Sequence, residues 1–419
     1  MIQFDKFTLA NGLRVIVHKD ETTPMVAVNV LYDVGARDEE EHRTGFAHLF
    51  EHLMFGGSVN IPEYDEPLQM AGGENNAYTT NDFTNYYIQL PKENIETALW
   101  LESDRMLSLA FSEKSLEVQR KVVCEEFKEH YINKPYGDAW KHVRELTYTT
   151  HPYKWMTIGK ELSHIEEAQL ADVKAFFKKH YNPLNAILCV AGDVETEAVK
   201  VLVEKWFGNI PSGDKYTRQL PAEPVQTEDR RETITADVPL NALYKTWHIG
   251  NRLDNQYHAA DIITEVMGSG QSSRMYQELV KEQRLFSNIS CYHTGSIDPG
   301  IIVVEGKLVE GVAIEDAEAA VDAALKVLQD KGITEEELHK SINRLESMVA
   351  FEDMNLLARA NNLAFYELLG DADMMNTEMT KYALVTAAEV KEVAREIFRP
   401  GNSNTLHYLK QTNEPVAES

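Results

Sequence analysis

Residues 45–55 read Gly-Phe-Ala-His-Leu-Phe-Glu-His-Leu-Met-Phe, and their apolar spacing predicts a helix that Gly56-Gly57 ends. Residues three and four apart share one face of a helix, so His48, Glu51 and His52 converge. Two imidazoles in this arrangement can bind Zn²⁺ at ~2.0–2.1 Å, while a nearby carboxylate that does not bind the metal can take a proton from water. The intervening residues are apolar, so burying this polar face without a ligand would be costly. The stretch therefore predicts a metal site.

A catalytic zinc site needs three protein ligands, and the acidic helix predicted at 113–132 can supply the third. This helix contains four glutamates, which are Glu117, Glu125, Glu126 and Glu129. Cys124 and His130 are further candidates by residue type, although a free cysteine is more often a small buried residue. Spacing alone does not choose among them, and the simplest interpretation of such a helix is a solvated charged face.

Strand patterns flank this helical region. Asn11-Gly12 between two alternating segments predicts a hairpin, and the run at 26–32 extends it to a β-meander. Residues 76–80 and 84–90 predict two further strands, and 186–191 predicts a buried strand. The first half of the chain therefore combines a sheet with separate helices.

At roughly 150 residues per domain, the length of 419 residues gives about two or three domains, and two large domains is the simplest interpretation. A Pro-, Gly- and charge-rich stretch marks a linker at 213–231, which separates an N-terminal domain at 1–212 from a C-terminal domain at 232–419. The second half repeats the order of predicted strands and helices found in the first. Residues 52–58 also faintly resemble residues 265–270, which suggests an internal duplication. We expect an α+β fold with two homologous domains, each an antiparallel-rich sheet with helices packed on one side.

Composition excludes several classes of function. The chain has 67 Asp and Glu against 41 Lys and Arg, a net charge of −26 that repels nucleic acid and anionic membrane surfaces. No run approaches the ~18 consecutive apolar residues of a membrane span. The first residues show no basic segment followed by an apolar one, so we expect a cytoplasmic location, or a periplasmic one if a leader has been removed.

Together these motifs resemble the pitrilysin/insulinase family of zinc metallopeptidases, whose HxxEH order defines the inverted zincins. The chain is similar to the short, single-subunit type, such as the catalytic subunit of mitochondrial processing peptidase. The resemblance extends over nearly the whole chain and includes the segments Leu9–Val15, Gly35–Glu39, His48–His52, Gly73–Tyr87, Val122–Glu126, His151–Tyr153 and Ala191–Val194.

The resemblance implies roles for individual residues. Glu51 would be the general base, and the second Glu of Val-Val-Cys-Glu-Glu, Glu126, would be the third zinc ligand, with Glu125 as the alternative. Many members carry a second functional Glu where this chain has Gln119, whose amide can still hydrogen-bond a ligand. The edge strand would bind extended substrate by β-augmentation, through the Asn76 side chain and the Ala77 backbone.

One departure from the family lies in the second half. Family members use an Arg and a Tyr seven residues apart there to bind the substrate carbonyl and support the oxyanion. The Arg position aligns with Lys281 and the Tyr position with Asn288, while Arg284 aligns with another residue of the motif. This predicts the zinc-bearing subunit of a heterodimer whose homologous partner supplies the pair. A homodimer with Lys281 or Asn288 as a weaker substitute is the alternative.

The expected function is that of an endopeptidase with one Zn²⁺ per chain, hydrolysing peptides or unfolded segments inside a two-subunit chamber. The alternatives are a non-catalytic assembly subunit and a poorly active peptide-binding subunit of the same family. The acidic excess would favour basic peptides if it lines the chamber.

Overall fold

The computed structural model describes residues 1–411, which contain eleven strands in two sheets. The strands are β1 (Asp5–Thr8), β2 (Arg14–Lys19), β3 (Met25–Tyr32), β4 (Glu74–Thr79), β5 (Thr84–Pro91), β6 (Ala186–Gly192), β7 (Arg230–Ala236), β8 (Ala242–His248), β9 (Phe286–His293), β10 (Ile301–Leu308) and β11 (Ser403–Lys410). The α-helices are α1 (Phe46–Leu53), α2 (Asp65–Met70), α3 (Ile95–Leu107), α4 (Glu113–Phe127), α5 (Ala139–Thr147), α6 (Leu162–Glu166), α7 (Leu170–His180), α8 (Thr196–Phe207), α9 (Tyr257–Gly268), α10 (Ile314–Lys331), α11 (Glu335–Glu352), α12 (Leu356–Leu369), α13 (Met374–Leu384) and α14 (Ala387–Ile397). Within the described residues, no helix has the length and apolarity of a bilayer-spanning segment.

The chain forms two compact units, each assembled from three segments. The first unit comprises Met1–Phe127, Trp155–Pro221 and Ser347–Glu378. The second comprises Lys128–Lys154, Ala222–Glu346 and, among the described residues, 379–411.

The sheet of the first unit has the strand order β1-β2-β6-β3-β5-β4. The strand β6 lies between β2 and β3, parallel to β2 and antiparallel to β3. The expected β-meander is therefore wrong, because its second and third strands are not neighbours. The physical reason is the composition of β6: all of its residues are buried, so it takes an interior position that is covered on both faces.

The sheet of the second unit has the order β7-β11-β8-β10-β9. Its first strand along the chain pairs in parallel with its last, and the other pairs are antiparallel. This is the arrangement of β2, β6, β3, β5 and β4 repeated, with β1 as an addition to the first sheet. The structure confirms the predicted α+β class with two homologous, antiparallel-rich domains.

One helix in each unit covers a sheet face that the other helices leave open. In the first unit, Ala360 and Leu363 of α12 pack in one cluster with Ala27 and Leu31 of β3. In the second unit, residues of α5 pack on β8 in the same manner, through Ala139, Val143, Ala242 and Tyr244. The helix α12 comes from late in the chain and α5 from early in it, so the compact units are discontinuous. The predicted contiguous domains at 1–212 and 232–419 place the segments 128–154 and 347–378 in the opposite halves from these units, and the units divide the predicted linker at 213–231 after Pro221.

A buried ion pair lies within the first unit. Arg105 is 1% exposed and donates from Nε to Glu102 Oε2 at 2.8 Å, and Glu102 is fully buried. The guanidinium carbon lies 4.5 Å from the ring centroid of Tyr86, 4.8 Å from Tyr64 and 5.6 Å from Phe55. Aromatic faces stabilise the cation where water cannot reach it. The pair therefore joins α3 to β5 and to the segment that follows α1.

We predict that Arg105→Met lowers the free energy of unfolding by about 3–5 kcal/mol, because it leaves the Glu102 carboxylate buried without its partner. The matched control is Arg395→Met, which removes an exposed cation from another i, i+3 pair, with Glu392. Exposed pairs contribute at most about 1 kcal/mol. Chemical denaturation of both variants measures the difference, and equal losses would contradict a special role for the buried pair.

Candidate metal centre

The helices α1 and α4 bring three candidate ligands together. Glu126 Oε2 lies 3.8 Å from His48 Nε2 and 3.5 Å from His52 Nε2. The three side chains offer ligand atoms that all lie within 4.8 Å of one another. The apolar residues of α1 pack toward the core. The two histidine side chains are partly exposed, with 15% of His48 and 25% of His52 accessible. The spacing of the motif therefore places both imidazoles on the face opposite the core.

The other candidate ligands in and after α4 lie outside this cluster. Glu125 is exposed, although it is adjacent in sequence to Glu126. Glu117 is exposed and pairs with Arg120 and Lys121. The remaining candidates are also outside the cluster, with Cys124 buried and Glu129 and His130 exposed on a π-helical turn at Lys128–Ile132. The structure thus places Glu126, and none of the other candidates for the third ligand, beside the two histidines.

The donor set fits zinc in kind and in spacing. Ligand atoms at ~2.0–2.1 Å from a tetrahedral zinc ion are about 3.4 Å apart, close to the two distances to Glu126. Burial, together with the neighbouring His52, lowers the pKa of His48 to about 4. Burial also lowers the pKa of His52, against the charge of Glu126. Both imidazoles are therefore neutral near pH 7, the form that binds a metal.

Glu51 points to the same region and is held by β4. Its Oε2 accepts a hydrogen bond from Thr79 Oγ1 at 2.6 Å. Burial raises the pKa of Glu51, Thr79 acts in the opposite direction, and the charge of Glu126 raises the pKa further. A raised pKa suits a group that must both accept and release a proton near neutral pH. Sequence reasoning missed this contact, because nothing in the spacing of Thr79 relates it to Glu51.

The surroundings of the two histidine side chains differ. Gln119 is half-buried on α4, and its side chain interacts with His52 in the direction that raises the pKa of the imidazole. This amide therefore lies beside one of the candidate ligands. His48 Nδ1 is buried and has no hydrogen-bond partner within residues 1–411. Within the described chain, no hydrogen bond to Nδ1 therefore orients the His48 ring.

The strand β4 lies at the edge of its sheet, next to β5. Asn76 is exposed on it, Ala77 is half-buried, and the Ala77 N–H donates to Asn76 Oδ1 at 2.8 Å. An edge strand is the geometry that β-augmentation requires.

The two positions where the family pair is replaced lie in the second unit. Lys281 is exposed on a π-helical segment at Tyr276–Glu282, with Nζ 5.6 Å from the ring centroid of Tyr276. Asn288 is exposed on β9, opposite Lys307. Arg284 is exposed between them, with a φ of 57°.

Comparison with known proteins gives two family matches. Residues 14–159 match the family described as insulinase (peptidase family M16), and residues 167–345 match the peptidase M16 inactive domain. The chain is 30% identical over 417 residues to zinc protease PqqE of Helicobacter pylori, which covers 97% of this chain and 92% of that protein. The chain belongs to the M16 peptidase family. The resemblance that the motifs suggested is thereby confirmed.

Two further M16 comparisons bear on fold and assembly. A crystal structure of a protease from Helicobacter pylori superposes with a TM-score of 0.91 at 27% identity, covering 97% of this chain and all of that one. The mitochondrial-processing peptidase subunit beta of Saccharomyces cerevisiae is 29% identical over 209 residues, which is 49% of this chain and 45% of that protein. Relatives across the family are thus named as zinc proteases or as a processing-peptidase subunit.

We predict that Glu126→Gln weakens zinc binding more than the ~10–100-fold that loss of an outer hydrogen-bond partner costs. The amide keeps the size of the side chain but loses the anionic oxygen that faces both imidazoles. Glu125→Gln is the matched control and should bind zinc as the wild type does. Competition with a chromophoric chelator gives both dissociation constants, and a larger effect at Glu125 would exchange the two assignments.

Proposed function

We propose that the chain is a zinc endopeptidase and the zinc-bearing subunit of a heterodimer. The observation that carries this proposal is the convergence of His48, His52 and Glu126 beside a carboxylate, Glu51, that is not part of the cluster. Zinc as the metal is supported by the fit of the donor set and by the names of the relatives. A purely structural subunit has no need of all four groups.

The residues divide the chemistry between them. Zinc held by His48, His52 and Glu126 would polarise the scissile carbonyl and lower the pKa of water. Glu51 would take a proton from water and deliver it to the departing amine. The hydroxyl of Thr79 keeps the Glu51 carboxylate in one orientation for both transfers.

The substrate would bind as an added strand along β4. Main-chain hydrogen bonds to this edge would supply affinity without selecting a sequence, which suits an enzyme that acts on extended or unfolded segments. In this proposal Asn76 binds the peptide through its side chain and Ala77 through its backbone. The net charge of −26 favours basic peptides wherever acidic side chains face the bound chain.

The heterodimer follows from the replaced pair. Lys281 offers one flexible point charge and Asn288 a neutral amide, whereas the family pair combines a planar guanidinium with a phenol. A homologous partner would supply those groups, and the yeast relative is by name a subunit. A homodimer that uses Lys281 or Asn288 is the alternative arrangement. We propose the cytoplasm as the location, with the periplasm as the alternative.

We predict that Glu51→Gln keeps the wild-type zinc content and lowers kcat for peptide hydrolysis by about 10²–10⁴-fold, the contribution of a general acid–base group. Metal analysis and cleavage of an internally quenched peptide library measure the two properties on the same protein. Glu125→Gln serves again as the control and should retain both. Loss of zinc from Glu51→Gln would mean that Glu51 is a ligand.

We also predict that the purified chain hydrolyses peptides slowly alone and faster with a homologous chain that carries Arg and Tyr seven residues apart and lacks HxxEH. The expected gain is about 10²–10³-fold, the cost of one missing oxyanion donor. Full activity of the chain alone would contradict the proposed heterodimer but would agree with the proposed peptidase activity. Zinc binding with no hydrolysis in either state would favour a peptide-binding or assembly subunit.

A further inference from the structure

The start of α1 has no capping side chain of its own. The residue before its first turn is Gly45, with a φ of 84°, and no side chain caps the helix from that position. A Cβ at Gly45 would lie 2.6 Å from the carbonyl oxygen of Ile158. The residues that usually cap helices, Ser, Thr, Asp and Asn, therefore do not fit there. The free N–H groups of the first turn need an acceptor from elsewhere in the chain.

Glu39 supplies that acceptor. Its Oε2 accepts from the backbone N–H of Gly45 at 2.9 Å, and its Oε1 accepts from Ala47 at 2.8 Å. The indole N–H of Trp155 donates to the carbonyl oxygen of Ala36 at 2.9 Å, in the turn that precedes Glu39. A negative charge at this end of a helix also interacts favourably with the helix dipole. One carboxylate thus occupies two of the unpaired N–H groups of α1.

The position of Glu39 is itself fixed. It is 8% exposed and follows the 3-10 turn Ala36–Asp38, where its N–H donates to the carbonyl of Ala36. The neighbouring Arg37 is buried and pairs with Asp82 at 2.9 Å. Glu39 therefore joins a rigid turn to the beginning of α1.

The helix depends on such a contact because it is short. Eight residues make about two turns, and isolated helices below ~12–15 residues are marginal in water. His48 is the third residue of α1, within the turn that Glu39 caps, and its Nδ1 has no partner of its own in the described chain. Glu51 and His52 lie in the second turn, where Thr79 and Gln119 contact them. His48 is consequently the group whose place depends most directly on the cap.

We infer that Glu39 is a positioning residue for the metal centre, which holds the first turn of α1 so that His48 meets His52 and Glu126 at ligand spacing. This inference rests on the zinc site of the proposed function and extends it to a residue nine positions before the motif. Glu39 touches neither the ligands nor a substrate and acts through the backbone of Gly45 and Ala47.

The test measures the zinc dissociation constant and amide hydrogen exchange in three variants. Glu39→Ala removes both acceptors, Glu39→Gln keeps one acceptor oxygen and turns a donor toward the other N–H, and Glu40→Ala changes an exposed neighbour. Measurement at pH 8.5 keeps wild-type Glu39 largely ionised, since burial raises its pKa to about 8. Zinc affinity should fall about 10–100-fold in Glu39→Ala, less in Glu39→Gln, and stay unchanged in Glu40→Ala.

Hydrogen exchange separates this cap from a general loss of stability. Amides of residues 45–48 should exchange faster in the metal-free Glu39 variants, while those of β3 and β6 keep their protection. If Glu39→Ala does not fold, Glu39→Gln carries the test alone. A folded Glu39→Gln with wild-type zinc affinity and wild-type exchange would overturn the inference. None of these readouts needs catalysis, so absence of hydrolysis would count against the proposed function and not against Glu39.

Discussion

Two backbone hydrogen bonds, from Gly45 and Ala47 to Glu39, define where α1 begins, and the geometry of the candidate site follows from that point. A helix of two turns does not hold its own ends, so tertiary contacts must fix them. The remaining contacts act further along α1, where Thr79 holds Glu51 from the edge strand and Gln119 contacts His52 from α4. Each chemically important side chain of α1 is thus located by a different part of the first unit.

The edge position of β4 serves two requirements at once. One side of the strand pairs with β5, and Thr79 at its end orients the carboxylate of Glu51. The other side has no neighbouring strand in the sheet order, so main-chain groups are available to an extended peptide. An added strand on this edge would therefore run beside the carboxylate that is proposed to transfer the proton. In the proposed function, one strand would hold the base through Thr79 and align the substrate through Asn76 and Ala77.

Local periodicity was sufficient to predict α1, α4 and the convergence of His48, Glu51 and His52, because residues three and four apart share a helical face in any fold. Periodicity could not choose between Glu125 and Glu126. Adjacent residues of a helix point about 100° apart, and only the packed structure shows which of the two directions faces the histidines. Periodicity also missed the insertion of β6, the bond from Thr79 and the cap by Glu39. Those features depend on which segments meet across tens of residues, and no spacing along the chain records that.

Each sheet is covered on one face by a helix from the other half of the sequence, α12 in the first unit and α5 in the second. This arrangement affects how the chain folds during synthesis. The first sheet is complete in sequence once β6 has left the ribosome, yet one of its apolar faces is covered by α12, which is made more than 150 residues later. Until then Ala27, Leu31 and their neighbours in β6 have no permanent cover, a condition that favours association with other chains or with chaperones. The two homologous halves are therefore not independent folding units. The first domain cannot finish its core until translation of the second is far advanced.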